Sequence, residues 1–91
     1  MHEGSLMRAL MRRIDEVAAQ AGATRVTAVR VRLGALANMS PEHFREHWED
    51  AAAGSIAQDA VLTTELSTDP TDPNALDVTL VSIDVEEPEP A

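Results

Sequence analysis

Apolar side chains recur at Leu6, Leu10, Ile14, Val17, Ala18 and Ala21, with Met7 and Met11 beside them. Steps of three and four place them along one face of a helix over residues 5–21. Arg8, Arg12, Arg13, Asp15 and Glu16 fall mostly on other faces. Gly22 is a natural stop, because glycine enters the left-handed conformation without a Cβ penalty. The period then falls to two. In "RVTAVRVRLG", residues 25–34, Thr27, Val29, Val31 and Leu33 share one side, and Ala28, Arg30 and Arg32 share the other. Such alternation predicts a strand with one buried and one partly exposed face.

A second helix is signalled by "SPEHF". Ser40 suits the N-cap, Pro41 the first helical position, and Glu42 the positive end of the helix. It should run to about residue 53, with Phe44, Trp48, Ala51 and Ala52 inward and Gly54 ending it. Two more strands follow. "AVLTTEL" (60–66) sets Leu62, Thr64 and Leu66 on one face. "LDVTLVSIDVE" (76–86) alternates twice, but its phase flips between Leu80 and Val81. Either a β-bulge sits there or the middle of the strand is covered on both faces. Between them, Asp69-Pro70 and Asp72-Pro73 in "STDPTDPNA" mark turns. The predicted order is α-β-α-β-β without internal repeats. This is an α+β fold: a small three-stranded mixed sheet with two helices packed on one face, and Arg30 and Arg32 turned toward solvent or a partner.

Composition narrows the function more than the fold. Ninety-one residues with 44% apolar content suit one small domain. Phe44 and Trp48 are its only aromatic residues, so aliphatic side chains must build the core. With no cysteine, disulfides and thiolate zinc sites are excluded. All seven arginines lie in residues 1–45 against four acids; residues 46–91 carry the other twelve acids and no base. A net charge of −9 argues against nucleic acid as a partner. No apolar run is long enough to span a membrane, and no signal-peptide pattern opens the chain, so a cytoplasmic location is expected. Nothing resembles a cysteine nucleophile, a Gly-rich phosphate loop or a serine elbow, and an enzyme is not expected.

Two groups of residues suggest metal chemistry. The chain opens "MHEGSLMRALM". A bulky second residue normally blocks removal of the first, which leaves Met1 with its free amine. That amine, the His2 amide nitrogen and the His2 imidazole lie within one chelating reach. An inert terminal histidine is the plain alternative. His43 and His47, four apart on the second helix, form the other group, with Glu46 and Asp50 nearby. They read either as an accessory metal site or as the solvated flank of a helix whose core face is Phe44 and Trp48. Met7 and Met11 are expected to pack against the sheet, where methionine fills gaps.

"MHEGSLMRAL", "RVTAVRVRLGAL" and "SPEHF", with "LVSIDVE" near the end, together resemble the N-terminal domain of the HypA/HybF family, nickel-insertion accessory proteins for [NiFe]-hydrogenases. The resemblance covers about residues 1–66 and 76–87. It implies Ni(II) held by Met1, His2 and Glu3, through the terminal amine, a backbone nitrogen and the histidine side chain. That donor set suits Ni(II), which favours tetragonal or square-planar nitrogen and oxygen ligands. Adjacent residues close fused chelate rings, the Glu3 amide or carboxylate can add a fourth donor, and no proline blocks amide coordination. An acid that some relatives place near the nickel corresponds here to Ser40.

Family members insert a zinc domain with two CxxC pairs between the last two strands. Here "STDPTDPNA" replaces it, as a short loop can close neighbouring strands, and no zinc is expected. The implied layout is one HypA-like nickel-binding domain over 1–87, with loop 67–75 for the zinc domain and a disordered acidic tail over 88–91. The partners implied are a [NiFe]-hydrogenase large subunit, a HypB-like GTPase, and a homo- or hetero-dimer with a HypA relative. The rival reading is a metal-free adaptor or scaffold that keeps the fold and its protein-binding surface.

Overall fold

The computed structural model describes residues 3–86, with Glu3 described by its backbone alone. Met1, His2 and the tail expected over 88–91 lie outside the described residues. Five elements follow the predicted order: α1 (Glu3–Gln20), β1 (Val26–Leu33), α2 (Pro41–Ala52), β2 (Val61–Leu66) and β3 (Val78–Val85). The architecture is the expected α+β one, with β1 at the centre of a three-stranded mixed sheet ordered β2-β1-β3. Strand β2 runs parallel to β1 and β3 runs antiparallel to it.

Helix α1 forms because Met7, Leu10, Ile14 and Ala18 fall on one stripe, and all four are buried. Its end follows from Gly22, whose φ of 68° lets the chain turn back. The Ala23 amide then donates to the Ala18 carbonyl at 2.9 Å. On β1, Val29, Val31 and Leu33 are buried, whereas Arg30 and Arg32 are exposed on the opposite face. Helix α2 adds Phe44, Trp48 and Ala52 to the same core. No buried polar or charged residue occurs among the described residues, so packing alone specifies the interior.

Three expectations are corrected. Thr27 does not share the buried side of β1. Val26 pairs with Val85 and Ala28 with Asp84, which makes Thr27 an extra, exposed residue at a bulge and puts Val26 into the core. Leu66, on the face of Leu62 and Thr64, is 57% exposed, because it ends an edge strand where neither helix covers it. The last two strands are not neighbours. Their connection crosses the end of β1, where the Gly34 amide donates to the Asp77 carbonyl at 2.9 Å and the Leu36 amide to the Ala75 carbonyl at 2.7 Å.

Of the two readings of the phase flip in β3, the bulge is the one realised. Arg30 faces Ser82 and Val31 faces Leu80, so Val81 is the surplus residue. It is exposed together with Ser82, while Leu80 and Ile83 on either side pack against the core.

Candidate metal centre

Helix α1 begins at Glu3, immediately after the histidine of the candidate chelate. Met1 and His2 lie outside the described residues, and of Glu3 only the backbone belongs to them, so the geometry of these donors is not on view. What the structure places is the ground beside them. Gly4, Met7, Arg8, Met11, Arg12 and Asp15 of α1 face His47, Asp50 and Ala51 of α2 across an open groove of about 640 Å³. The two methionines, expected against the sheet, wall this seam: Met7 is buried and Met11 is partly buried against the core. Gly4 leaves room there, since a Cβ on it would meet only the Arg8 guanidinium end, at 3.5 Å.

Ser40 acts as the N-cap of α2, its hydroxyl accepting from the His43 amide at 3.1 Å. Ser40, which the family resemblance sets where an acid would stand near nickel, is therefore the residue that starts this helix. One turn on, His43 and His47 meet. Their Nε2 atoms are 3.2 Å apart and their rings sit edge to face, with centroids 4.6 Å apart and planes at 79°. Buried Phe44 and Trp48 anchor the helix on its other side.

The acids expected near this pair divide. Asp50 lines the groove with His47, but Glu46 lies with Glu42, Arg45 and Glu49 around a separate hollow on α2. No group of three or more His, Asp or Glu residues placed to hold a metal occurs among the described residues. The four-residue spacing was the signal that found the histidine pair. The same period was the signal that could have separated the acids, because one step along a helix turns Glu46 by about 100° from His47 whereas Asp50, three residues on, stays on its side.

On the open face of the sheet, Arg30 and Arg32 both reach Glu65 of β2, at 3.8 and 3.2 Å. All three side chains are about half exposed, so these pairs contribute little to stability. They do order the arginines across the strands. In the connection after β2, the Asp69 carboxylate accepts from the Thr71 hydroxyl at 2.6 Å and the Thr71 amide at 2.9 Å. Those two hydrogen bonds lower the pKa of Asp69, which is fully exposed and belongs to a turn rather than to a site.

Comparison with known proteins places this arrangement. The family model described as "Hydrogenase/urease nickel incorporation, metallochaperone, hypA" matches residues 1–70. The chain belongs to the HypA family. HypA maturation factors similar to it include those of Rhizobium leguminosarum bv. viciae, 39% identical over 62 residues, and Archaeoglobus fulgidus, 39% identical over 62 residues. These matches take 68% of this chain but 55% and 56% of the relatives, so the chain spans about half the length of the curated HypA proteins it matches. The solution structure of the Ni metallochaperone HypA from Helicobacter pylori superposes with a TM-score of 0.78 at 18% identity, covering 93% of this chain and 97% of that one. At that identity the likeness concerns the fold. The HypA match includes Met1, His2, Glu3, Ser40 and the histidine pair, and it ends before β3. Its description is of a metallochaperone, a carrier rather than a catalyst.

Proposed function

We propose that this HypA-family chain carries Ni(II) as cargo on its first three residues and delivers it during maturation of a [NiFe]-hydrogenase large subunit. The donors are the Met1 amine, the His2 amide and imidazole nitrogens, and Glu3. The observation that carries the reading is the extent of the family match, which starts at residue 1 and so includes the chelating segment itself. Ni(II) fits the set: three nitrogens from adjacent residues close fused rings at little conformational cost, and one further donor completes a square plane. A terminal chelate is accessible to an acceptor, and its protons compete with the metal, which permits release by ligand exchange.

A HypB-like GTPase is the proposed nickel source, and a HypA relative the proposed partner in any dimer. Loop 67–75 takes the place of the family's zinc domain in this reading, and the 1–87 segment then acts as one nickel-binding domain. With no cysteine in its sequence, the chain offers no thiolate to zinc.

The test is Ni(II) titration of protein with an unextended N-terminus, beside His2→Ala and a variant with residues added before Met1. A Ni(II)-binding step of one ion per chain in the parent that both variants lose supports the N-terminal chelate. Retention of the parent's full stoichiometry and affinity by both variants removes it.

A further inference from the structure

The geometry points to a second metal site, separate from the N-terminal chelate: His43 and His47 on α2 together bind a divalent late first-row transition ion as a two-imidazole clip. Their Nε2 atoms converge to 3.2 Å. With metal–imidazole bonds of about 2.1 Å, that separation subtends about 100° at a shared ion, between the cis angle of a square plane and the tetrahedral angle. The nitrogens thus already stand at the spacing of two cis ligands. A contact this short between two imidazoles holds one proton, and a metal ion is its chemical alternative. On binding, the ring that donates through Nε2 moves that proton to Nδ1, which frees both Nε2 lone pairs for the ion.

The helix preorganises the pair. Residues four apart occupy one row of a helix surface, the same spacing by which two histidines of a metalloprotease helix hold zinc. Helix α2 is fixed at its start by the Ser40 hydroxyl on the His43 amide and along its length by buried Phe44 and Trp48. The rigid frame limits the ordering cost that metal binding would otherwise incur. The chemical class follows from the donors. Two neutral imidazoles without a thiolate suit Ni(II), Cu(II) or Zn(II), and not Mg(II) or Ca(II), which prefer oxygen. Because no third His, Asp or Glu is placed to join them among the described residues, water fills the remaining positions. An incompletely enclosed ion of this kind exchanges ligands readily, unlike a closed structural site.

None of these donors belongs to Met1, His2 or Glu3, so the clip stands or falls independently of the N-terminal reading. The experiment uses the full chain, untagged, carrying His2→Ala and an added residue before Met1 to disable the terminal chelate. Ni(II) is titrated while the imidazole nitrogens are followed by NMR. The expected result is one Ni(II) per chain, with the Nε2 resonances of His43 and His47 shifting or broadening together. His43→Ala or His47→Ala should weaken binding roughly tenfold or more, since the second donor then acts without a tethered neighbour. His47→Ala with Glu49→His keeps the number of imidazoles but sets them six residues apart, and should bind as weakly as the single variants. Circular dichroism confirms that each variant keeps its helices. Equal Ni(II) affinity across the parent and all variants, or resonances of the pair unmoved at saturation, overturns the proposal.

Discussion

Ser40 does two things at one position: it starts α2, and it fixes the amide of the first histidine of the pair, at 3.1 Å. Loss of that cap leaves an orphan amide at the helix start and costs about 1 kcal/mol. Ser40→Ala should therefore lower the melting temperature, whereas Ser40→Asp, an equally good cap, should leave it near that of the parent. Thermal unfolding checks the pair; equal loss in both variants would mean that the hydroxyl is not acting as a cap. The helix start was legible from Ser40, Pro41 and Glu42, because capping is local chemistry. The histidine pair was legible as a spacing, but its 3.2 Å approach was not, since rotamers decide how near two rings come. The donors at Met1 and His2 were read from sequence alone and remain outside the described residues.

At the scale of the element, the two bulges show what alternation can and cannot reveal. Val81 announced itself because Leu80 and Val81 break a clean two-residue period between apolar positions. Thr27 gave no such sign. Threonine passes as a half-buried strand residue, so Thr27, Val29, Val31 and Leu33 alternate without a flaw, and only the pairing of Val26 with Val85 exposes the extra residue. The bulge at Val81 carries a prediction about deletion. Removing Val81 joins Leu80, opposite Val31, to Ser82, opposite Arg30, and every remaining side chain keeps its face. Removing Thr79 instead slides Val78 out of register with Leu33 and toward the partner position of Arg32, turning an apolar residue outward. Deletion of Val81 should be tolerated and deletion of Thr79 should be clearly destabilising, as judged by the urea midpoints of the two proteins. The reverse ranking would rule out this assignment of the surplus residue.

The whole molecule depends on a crossing that the sequence pattern did not disclose. Periodicity finds strands but not their neighbours, and β1 lies between β2 and β3 because its Val29, Val31 and Leu33 face Leu62, Thr64 and Leu66 on one side and Ile83, Leu80 and Val78 on the other. The connection from β2 to β3 must then pass over the end of β1, and it passes directly against Gly34. A Cβ built on Gly34 would overlap the Ala75 carbonyl and crowd the Asn74 carbonyl oxygen. These are backbone atoms and cannot swing aside. Ala75 is buried, and the segment is tied by the Leu36 amide on the Ala75 carbonyl and the Gly34 amide on the Asp77 carbonyl. To admit a methyl group, the crossing has to lift and strain or break those bonds, a cost of roughly 1–3 kcal/mol by analogy with overpacked cores. Gly34→Ala should thus lower the melting temperature by about 5 °C or more for a domain of this size. Gly4→Ala is the matched control. Its methyl group meets only the flexible end of Arg8, at 3.5 Å, and alanine is the better helix former, so it should hold or raise the melting temperature. If the two alanine variants melted together, the connection would not be seated on Gly34, and the crossing that closes this sheet would have to run elsewhere.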